Sequence, residues 1–261
     1  MIRWCSYCQA FLGEVPPYVS VAISHGACPS CAATIQTDDG GDALVDATDA
    51  VRDLMNQIFD SAARGDESSI TTLLAETTAL QLSPESILVG LIQPALYRAG
   101  EAWRDGEMSV AAEHRLTLWC ERFLGQLPSR QPVKTSLDVL IFLMPGNTHT
   151  VGPRLASQLL AARGLSTQVI VPELPVGEIA REIERLRPRV VGISCALAAS
   201  LPATEELVSE LEDRIDTSWQ RRFLIGGSAV RNPHGAWTSA AGAAVAATMQ
   251  EAEDLVLGSR A

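Results

Sequence analysis

The sequence predicts a mixed α/β chain: a small N-terminal zinc ribbon, then a four-helix bundle, then a doubly wound, Rossmann-like domain. Three observations carry this. Four of the six cysteines fall within the first 31 residues, as two Cys-x-x-Cys pairs. Residues 43 to about 127 place apolar side chains at three- and four-residue spacing, the period of amphipathic helices. From Leu137 onward, short apolar runs alternate with amphipathic segments, the pattern of a parallel sheet covered on both faces.

Composition narrows the function before any motif is read. With 47% hydrophobic and 20% charged residues, the chain has the balance of a packed protein, which excludes global disorder. No apolar run approaches the ~20 residues of a membrane helix. The start, Met1-Ile2-Arg3-Trp4-Cys5, lacks the regions of a secretory signal, so a cytoplasmic location is expected. Acidic residues outnumber basic ones by 31 to 20, and no stretch gathers arginines into a stripe, which argues against direct nucleic-acid binding. The single lysine, Lys134, lies in the linker-like Pro128–Lys134 stretch, so neither Schiff-base chemistry nor a phosphate-binding Gly-Lys loop is expected.

The ribbon is assigned to residues 1–35. Cys5-x-x-Cys8 and Cys28-x-x-Cys31 are separated by 19 intervening residues, a spacing that suits two thiolate knuckles closing one tetrahedral zinc site. Redox dithiols or disulfides are the alternative, disfavoured in a chain expected in the cytoplasm. Four thiolates leave no open position, so the metal is read as structural and supplies stability that so short a segment cannot gain from burial. His25 is surplus to the four ligands. The ribbon is similar to short cysteine modules attached to bacterial signalling sensors.

Beyond a Gln36–Asp42 hinge, helices are expected at roughly 43–64, 67–82, 84–105 and 109–126, with turns at Gly65-Asp66, Ser83-Pro84 and Asp105-Gly106. This makes residues 43–127 an up-down bundle. Pro94 falls inside the third helix and is expected to kink it.

Residues 137–261 form the sheet domain. Strands are expected at 137–143, 167–171, 190–194 and 223–225, with a last strand and helix between about 243 and 257. The intervening helices run from about 151 to 162, 176 to 186 and 203 to 214. Arg221 and Arg222 are read as solvating a strand edge, and Cys195 as a small buried residue. In such folds ligands bind beyond the carboxyl ends of the strands. There the sequence offers Pro145-Gly146-Asn147-Thr148-His149-Thr150-Val151-Gly152, then Ser194-Cys195-Ala196-Leu197, then Gly226-Gly227.

These three strand ends resemble the cobalamin-binding domain, whose signature is Asp-x-His-x-x-Gly followed by a serine-bearing strand end and a Gly-Gly pair. The resemblance implies that His149 binds cobalt from below in place of the cofactor's dimethylbenzimidazole. Gly152 would admit the nucleotide tail, Ser194 and Leu197 would line it, and Gly226 and Gly227 would leave it room. Asn147 stands where the pattern has Asp, so the partner of the imidazole is an uncharged amide and the cobalt ligand is less electron-rich.

In the bundle, Trp103 followed by Glu113-His114 looks like the trio of the adenosylcobalamin-dependent light sensors of the CarH-like type. By that resemblance Trp103 shields the adenosyl group and Glu113 contacts it. His114 takes the upper cobalt position once light has broken the cobalt–carbon bond. The resemblance covers about residues 43–250, and the DNA-binding domain of those repressors is replaced by the ribbon. Output through a change of homo-oligomer or a protein partner is therefore expected. The photocobilin branch of these sensors holds a bilin, such as biliverdin, beside the cobalamin; the sequence is compatible with such a second pigment, and Cys120, Cys195 and His234, which no other reading uses, neither prove nor require one.

Two other functions compete with this one. A cobalamin-dependent mutase needs an enclosing barrel of ~250 residues, for which there is no room. A corrinoid methyl-carrier protein for a methyltransferase system has the same layout, but its upper face must stay open, where Trp103 and His114 would obstruct it. The chain is thus expected to be a non-enzymatic sensor.

Overall fold

A computed structural model describes residues 1–18, 20, 22–35, 43–128, 132, 136–216, 218–231 and 237–258. The Gln36–Asp42 hinge, Lys134 and His234 lie outside the described residues, as does the side chain of His25. The chain divides into two compact units, Met1–Leu127 and Pro128–Ala261. Among the described residues no helix is long and apolar enough to cross a membrane.

The first unit opens with three short strands, β1 (Ile2–Cys5), β2 (Phe11–Glu14) and β3 (Ile23–Gly26), and helix α1 (Pro29–Ile35). Their order is β2-β1-β3, with β1 antiparallel to β2 and parallel to β3. The parallel pairing puts Cys5 opposite Gly26, so both Cys-x-x-Cys pairs begin at the same edge of the sheet. Helices α2 (Ala43–Arg64), α3 (Ser69–Ala79), α4 (Pro84–Ile87), α5 (Gln93–Arg104) and α6 (Val110–Gln126) follow. Val51, Leu54, Ile58 and Ala62 form the buried stripe of α2, and Leu116, Trp119, Cys120 and Phe123 that of α6. Those spacings of three and four residues turn one face of each helix inward. Trp119 stacks on Phe123 at 5.1 Å, and its indole N–H donates to the carbonyl of Asp66 at 2.8 Å, closing the α2–α3 turn. Ser83 and Ser109 cap α4 and α6, each hydroxyl accepting from the backbone N–H three residues on.

The third predicted helix is interrupted before Pro94, not at it. Leu88–Ile92 is a π-turn joining α4 to α5, with the Gln93 N–H reaching back five residues to Leu88. Proline has no N–H for the carbonyl of Gly90 and its ring crowds that carbonyl, so the preceding turn widens. Into the wide turn comes the ribbon. Trp4, 1% exposed, lies so close to Gly90 that a β-carbon there would stand 2.3 Å from its Cζ2. Beside it Gln93 donates to the Glu14 carboxylate at 2.8 Å. Ribbon and bundle thus share one core.

The second unit is a five-stranded parallel sheet of β4 (Val139–Leu143), β5 (Thr167–Ile170), β6 (Val190–Ser194), β7 (Arg222–Gly226) and β8 (Ala244–Ala246), in the order β5-β4-β6-β7-β8. Helices α7 (Val151–Ala162), α8 (Val176–Leu186), α9 (Leu201–Arg214) and α10 (Met249–Gly258) alternate with the strands. Alternate residues of β4 serve different faces. Leu140 and Phe142 pack with Ile179, Ile183, Val208 and Leu211 of α8 and α9, whereas Val139 and Ile141 pack with Leu160 of α7 and Val256 of α10. Helix α9 begins at Leu201, earlier than the sequence suggests, because Pro202 is tolerated in a first turn. Arg221 is more than edge solvation: its guanidinium donates to the carbonyls of Ile215 and Asp216 and lies 5.2 Å from the Trp219 ring.

Candidate functional site

The strand order reverses direction at β4: the chain steps from β4 outward to β5, then crosses back to β6 on the other side. The crevice between the carboxyl ends of β4 and β6 is the switch point at which open parallel sheets bind ligands. Both strand ends carry residues singled out above.

After β4, Gly146 makes the tight turn with φ of +84° and its N–H donates to the Glu173 carboxylate. Asn147 follows, 5% exposed. Its Nδ2 donates to the Ser194 carbonyl at the end of β6 (3.0 Å), and its Oδ1 accepts the His149 N–H (3.0 Å) and lies 2.8 Å from His149 Nδ1. His149 itself is exposed at the mouth of the crevice, one residue before the N-cap of α7. At Gly152, in the first turn of α7, a β-carbon would meet nothing within 4 Å, so the missing side chain leaves open space.

At the next strand ends, Ser194 is half-buried and Leu197 is 48% exposed. Gly227 has a different reason from the one the sequence suggests. With φ of +110°, its absent β-carbon would sit 2.3 Å from the Cys195 carbonyl oxygen, so the backbone of β6 requires the glycine whatever binds nearby. Gly226 is less constrained, since a β-carbon there would make ordinary contact with the Ala246 carbonyl at 3.7 Å. Cys195 is buried, and burial pushes its thiol above the usual range. His149, Asn147, Gly152, Ser194, Leu197, Gly226 and Gly227 therefore all lie at the carboxyl edge of one sheet.

In the first unit, the sulfurs of Cys5, Cys8, Cys28 and Cys31 all lie within 4.8 Å of one another. A tetrahedral zinc site with Zn–S bonds of ~2.3 Å has sulfur–sulfur edges of about 3.8 Å, and Cys8 Sγ and Cys28 Sγ are 3.7 Å apart. Backbone N–H groups aim at the sulfurs, Cys28 N to Cys5 Sγ at 3.3 Å and Cys31 N to Cys28 Sγ at 3.4 Å. Burial opposes ionisation of the Cys5 thiol, but N–H groups of Cys28, Tyr7 and Cys8 outweigh it and bring it down to about 6. The Cys28 thiol beside it pushes Cys31 up to about 12. Four sulfurs converging at this separation are a donor set that a divalent cation can bind. The cluster can hold a metal ion. Cys120, by contrast, is buried among apolar side chains and its thiol is pushed up to about 12.

The helical trio lies around the α5–α6 turn. Trp103 is 49% exposed near the end of α5, Gly106 turns the chain with φ of +77°, and Glu113 and His114 stand in the first turns of α6. Glu113 accepts from the Thr117 hydroxyl at 2.9 Å, and its second oxygen is 3.6 Å from Nε2 of His114, whose side chain is 74% exposed. The Trp103 indole and the His114 imidazole are therefore both accessible to a ligand.

Two family models, both described as B12 binding domain, match residues 54–127 and residues 137–257, between them most of the chain. The HTH-type transcriptional repressor CarH of Myxococcus xanthus is 24% identical over 167 residues, covering 64% of this chain and 55% of that protein. The chain thus spans about half the length of this curated relative. Among solved structures, the monomethylamine corrinoid protein of Methanosarcina barkeri superposes with a TM-score of 0.64 at 18% identity, covering 79% of this chain and 98% of that one. A methanol:cobalamin methyltransferase complex from the same organism gives a TM-score of 0.40 at 16% identity, covering 90% and 87%. A helical B12-binding segment followed by a Rossmann-like B12-binding sheet, the latter with an imidazole at its switch point, makes the chain a member of the cobalamin-binding proteins.

Proposed function

We propose that the chain is a non-enzymatic light sensor that binds adenosylcobalamin and signals through its own assembly or a protein partner. The observation that carries the reading is the exposed His149 imidazole, held by a buried amide at the sheet's switch point beside the open space at Gly152. That set fits a corrinoid: neutral imidazole is a good cobalt ligand, and Gly152 leaves open space beside it for a nucleotide tail. When bound, adenosylcobalamin supplies a cobalt–carbon bond that light can break.

His149 is the lower-ligand imidazole, Asn147 orients it, Gly152, Ser194 and Leu197 accommodate the tail, and Gly226 and Gly227 shape the strand end beside it. Trp103 is assigned as shield, Glu113 as its polar companion, and His114 as the imidazole available on the upper side. The exposure of Trp103 and His114 supports these roles, because neither is used in the core of its own unit. Similarity to the transcriptional repressor CarH of Myxococcus xanthus adds to the sensing reading. The photocobilin-type bilin stays part of the proposal as an optional second pigment. The Cys5–Cys8–Cys28–Cys31 zinc site is assigned structure alone.

The test is the absorption spectrum of dark-purified protein loaded with adenosylcobalamin, before and after blue-green light. An irreversible change, with a different product in His114→Ala, is expected. A spectrum that light leaves unchanged would overturn the sensor and leave the methyl carrier, for which methyl transfer to the bound corrinoid by a methyltransferase is the corresponding assay.

A further inference from the structure

Asn147 sits at a position where each half of the amide has its own partner, and the partners are not interchangeable. The Ser194 carbonyl already accepts the Met144 N–H at 3.0 Å and turns its remaining lone pair to Asn147 Nδ2, also at 3.0 Å. On the other side the His149 backbone N–H, which can only donate, points at Oδ1 at 3.0 Å. Flipping the amide would set oxygen against carbonyl oxygen and NH₂ against N–H, losing both bonds. A carbonyl from β6 and an N–H from the α7 approach therefore decide independently that the oxygen faces His149.

One consequence follows for the imidazole. Oδ1 has no proton to give, so the 2.8 Å contact with His149 Nδ1 is a bond that the ring donates. The proton is placed on Nδ1, and Nε2 carries the lone pair. We infer that Asn147 is a positioning residue that presets His149 in the Nδ1–H tautomer, and that the site is built for an amide and not for the Asp of the resembling pattern. A carboxylate at 147 would have no hydrogen for the Ser194 carbonyl and would leave two oxygens about 3 Å apart, at the separation now held by a bond, in a position shut off from water. The inference rests on the cobalamin reading only for what the lone pair is used for. The imidazole donor so made is neutral, without a carboxylate to draw its proton away, and it makes a weaker and more readily exchanged ligand than a carboxylate-paired histidine.

The tautomer is read on the cofactor-free protein, by imidazole nitrogen chemical shifts and two-bond couplings in ¹⁵N-histidine-labelled chain. Wild type is expected to show His149 as a single Nδ1–H form when neutral. Asn147→Leu, similar in volume, should release it to the Nε2–H-dominated mixture of solvent-exposed imidazoles and weaken cobalamin binding about 10- to 100-fold. Asn147→Asp should melt lower than wild type and bind cobalamin no more tightly. An Nε2–H form in wild type overturns the inference without any variant having to fold. So does an Asn147→Asp protein that keeps its melting temperature and binds cobalamin more tightly. The underlying reading is judged apart: in protein loaded with cob(II)alamin, nitrogen splitting of the cobalt resonance that responds to ¹⁵N-histidine labelling supports His149 as ligand. Retained dimethylbenzimidazole removes that role while the tautomer result stands.

Discussion

Replacing Gly90 by alanine tests whether the ribbon is built into the helical unit. An alanine β-carbon would stand 2.3 Å from Trp4 Cζ2, 2.9 Å from Cη2 and 3.2 Å from Cε2, against ordinary carbon contacts near ~3.5–4 Å. The indole has little freedom to retreat. It packs edge-on against Phe11 at 5.7 Å, and the next residue, Cys5, is fully buried in the cysteine cluster. Overfilling such a contact costs about 1–3 kcal/mol, while the gain in helix propensity from glycine to alanine returns up to about 1 kcal/mol. A net loss of about 1–2 kcal/mol is expected, several degrees in the melting temperature of the unit. Gly100 provides the control, because a β-carbon there meets nothing within 4 Å, and Gly100→Ala should stabilise by up to about 1 kcal/mol. Thermal unfolding of the zinc-loaded protein, followed by circular dichroism, measures both. Trimming the indole with Trp4→Phe should relieve Gly90→Ala, so the double variant will show favourable coupling. Gly90→Ala melting as high as Gly100→Ala would refute the docking.

Elemental analysis should give about one zinc per chain, lost in Cys5→Ser; because Cys5 adjoins Trp4, the same variant should lower the melting temperature of the helices and not of the ribbon alone. Unchanged zinc content would exclude the four-sulfur site. Gly227→Ala should destabilise the sheet unit by about 1–3 kcal/mol, since it pairs a positive φ with a β-carbon 2.3 Å from the Cys195 carbonyl oxygen, whereas Gly226→Ala should be much milder. Denaturant melts of the two variants compare them, and equal losses would contradict the close backbone approach.

The features legible in the sequence are those whose physics is local. Two Cys-x-x-Cys pairs announce a cluster because a thiolate knuckle needs only its own four residues, and the sulfurs do converge. Apolar period and turn residues place the helices and strands, so His149, Ser194 and Gly226-Gly227 fall at the strand ends expected of them. What escaped depends on partners distant in the chain. Gly90 reads as an ordinary member of an apolar helix, and only the fold brings Trp4 over it. Pro94 signals an irregularity but not that the widening falls on Leu88–Ile92. Gly227 reads as room for a ligand, whereas a backbone carbonyl on the neighbouring strand already demands it. Asn147 reads as a depleted aspartate. Its bond to the Ser194 carbonyl leaves no mark in the sequence, because any residue supplies a carbonyl.

The seating of Trp4 against Gly90 bears on how the N-terminus can be exchanged. A bundle stripped of residues 1–35 would keep α2 to α6 but present an indole-shaped socket to solvent at Gly90. Any other N-terminal module grafted onto these helices must bring a plug of its own, or a larger residue at position 90 must seal the hole.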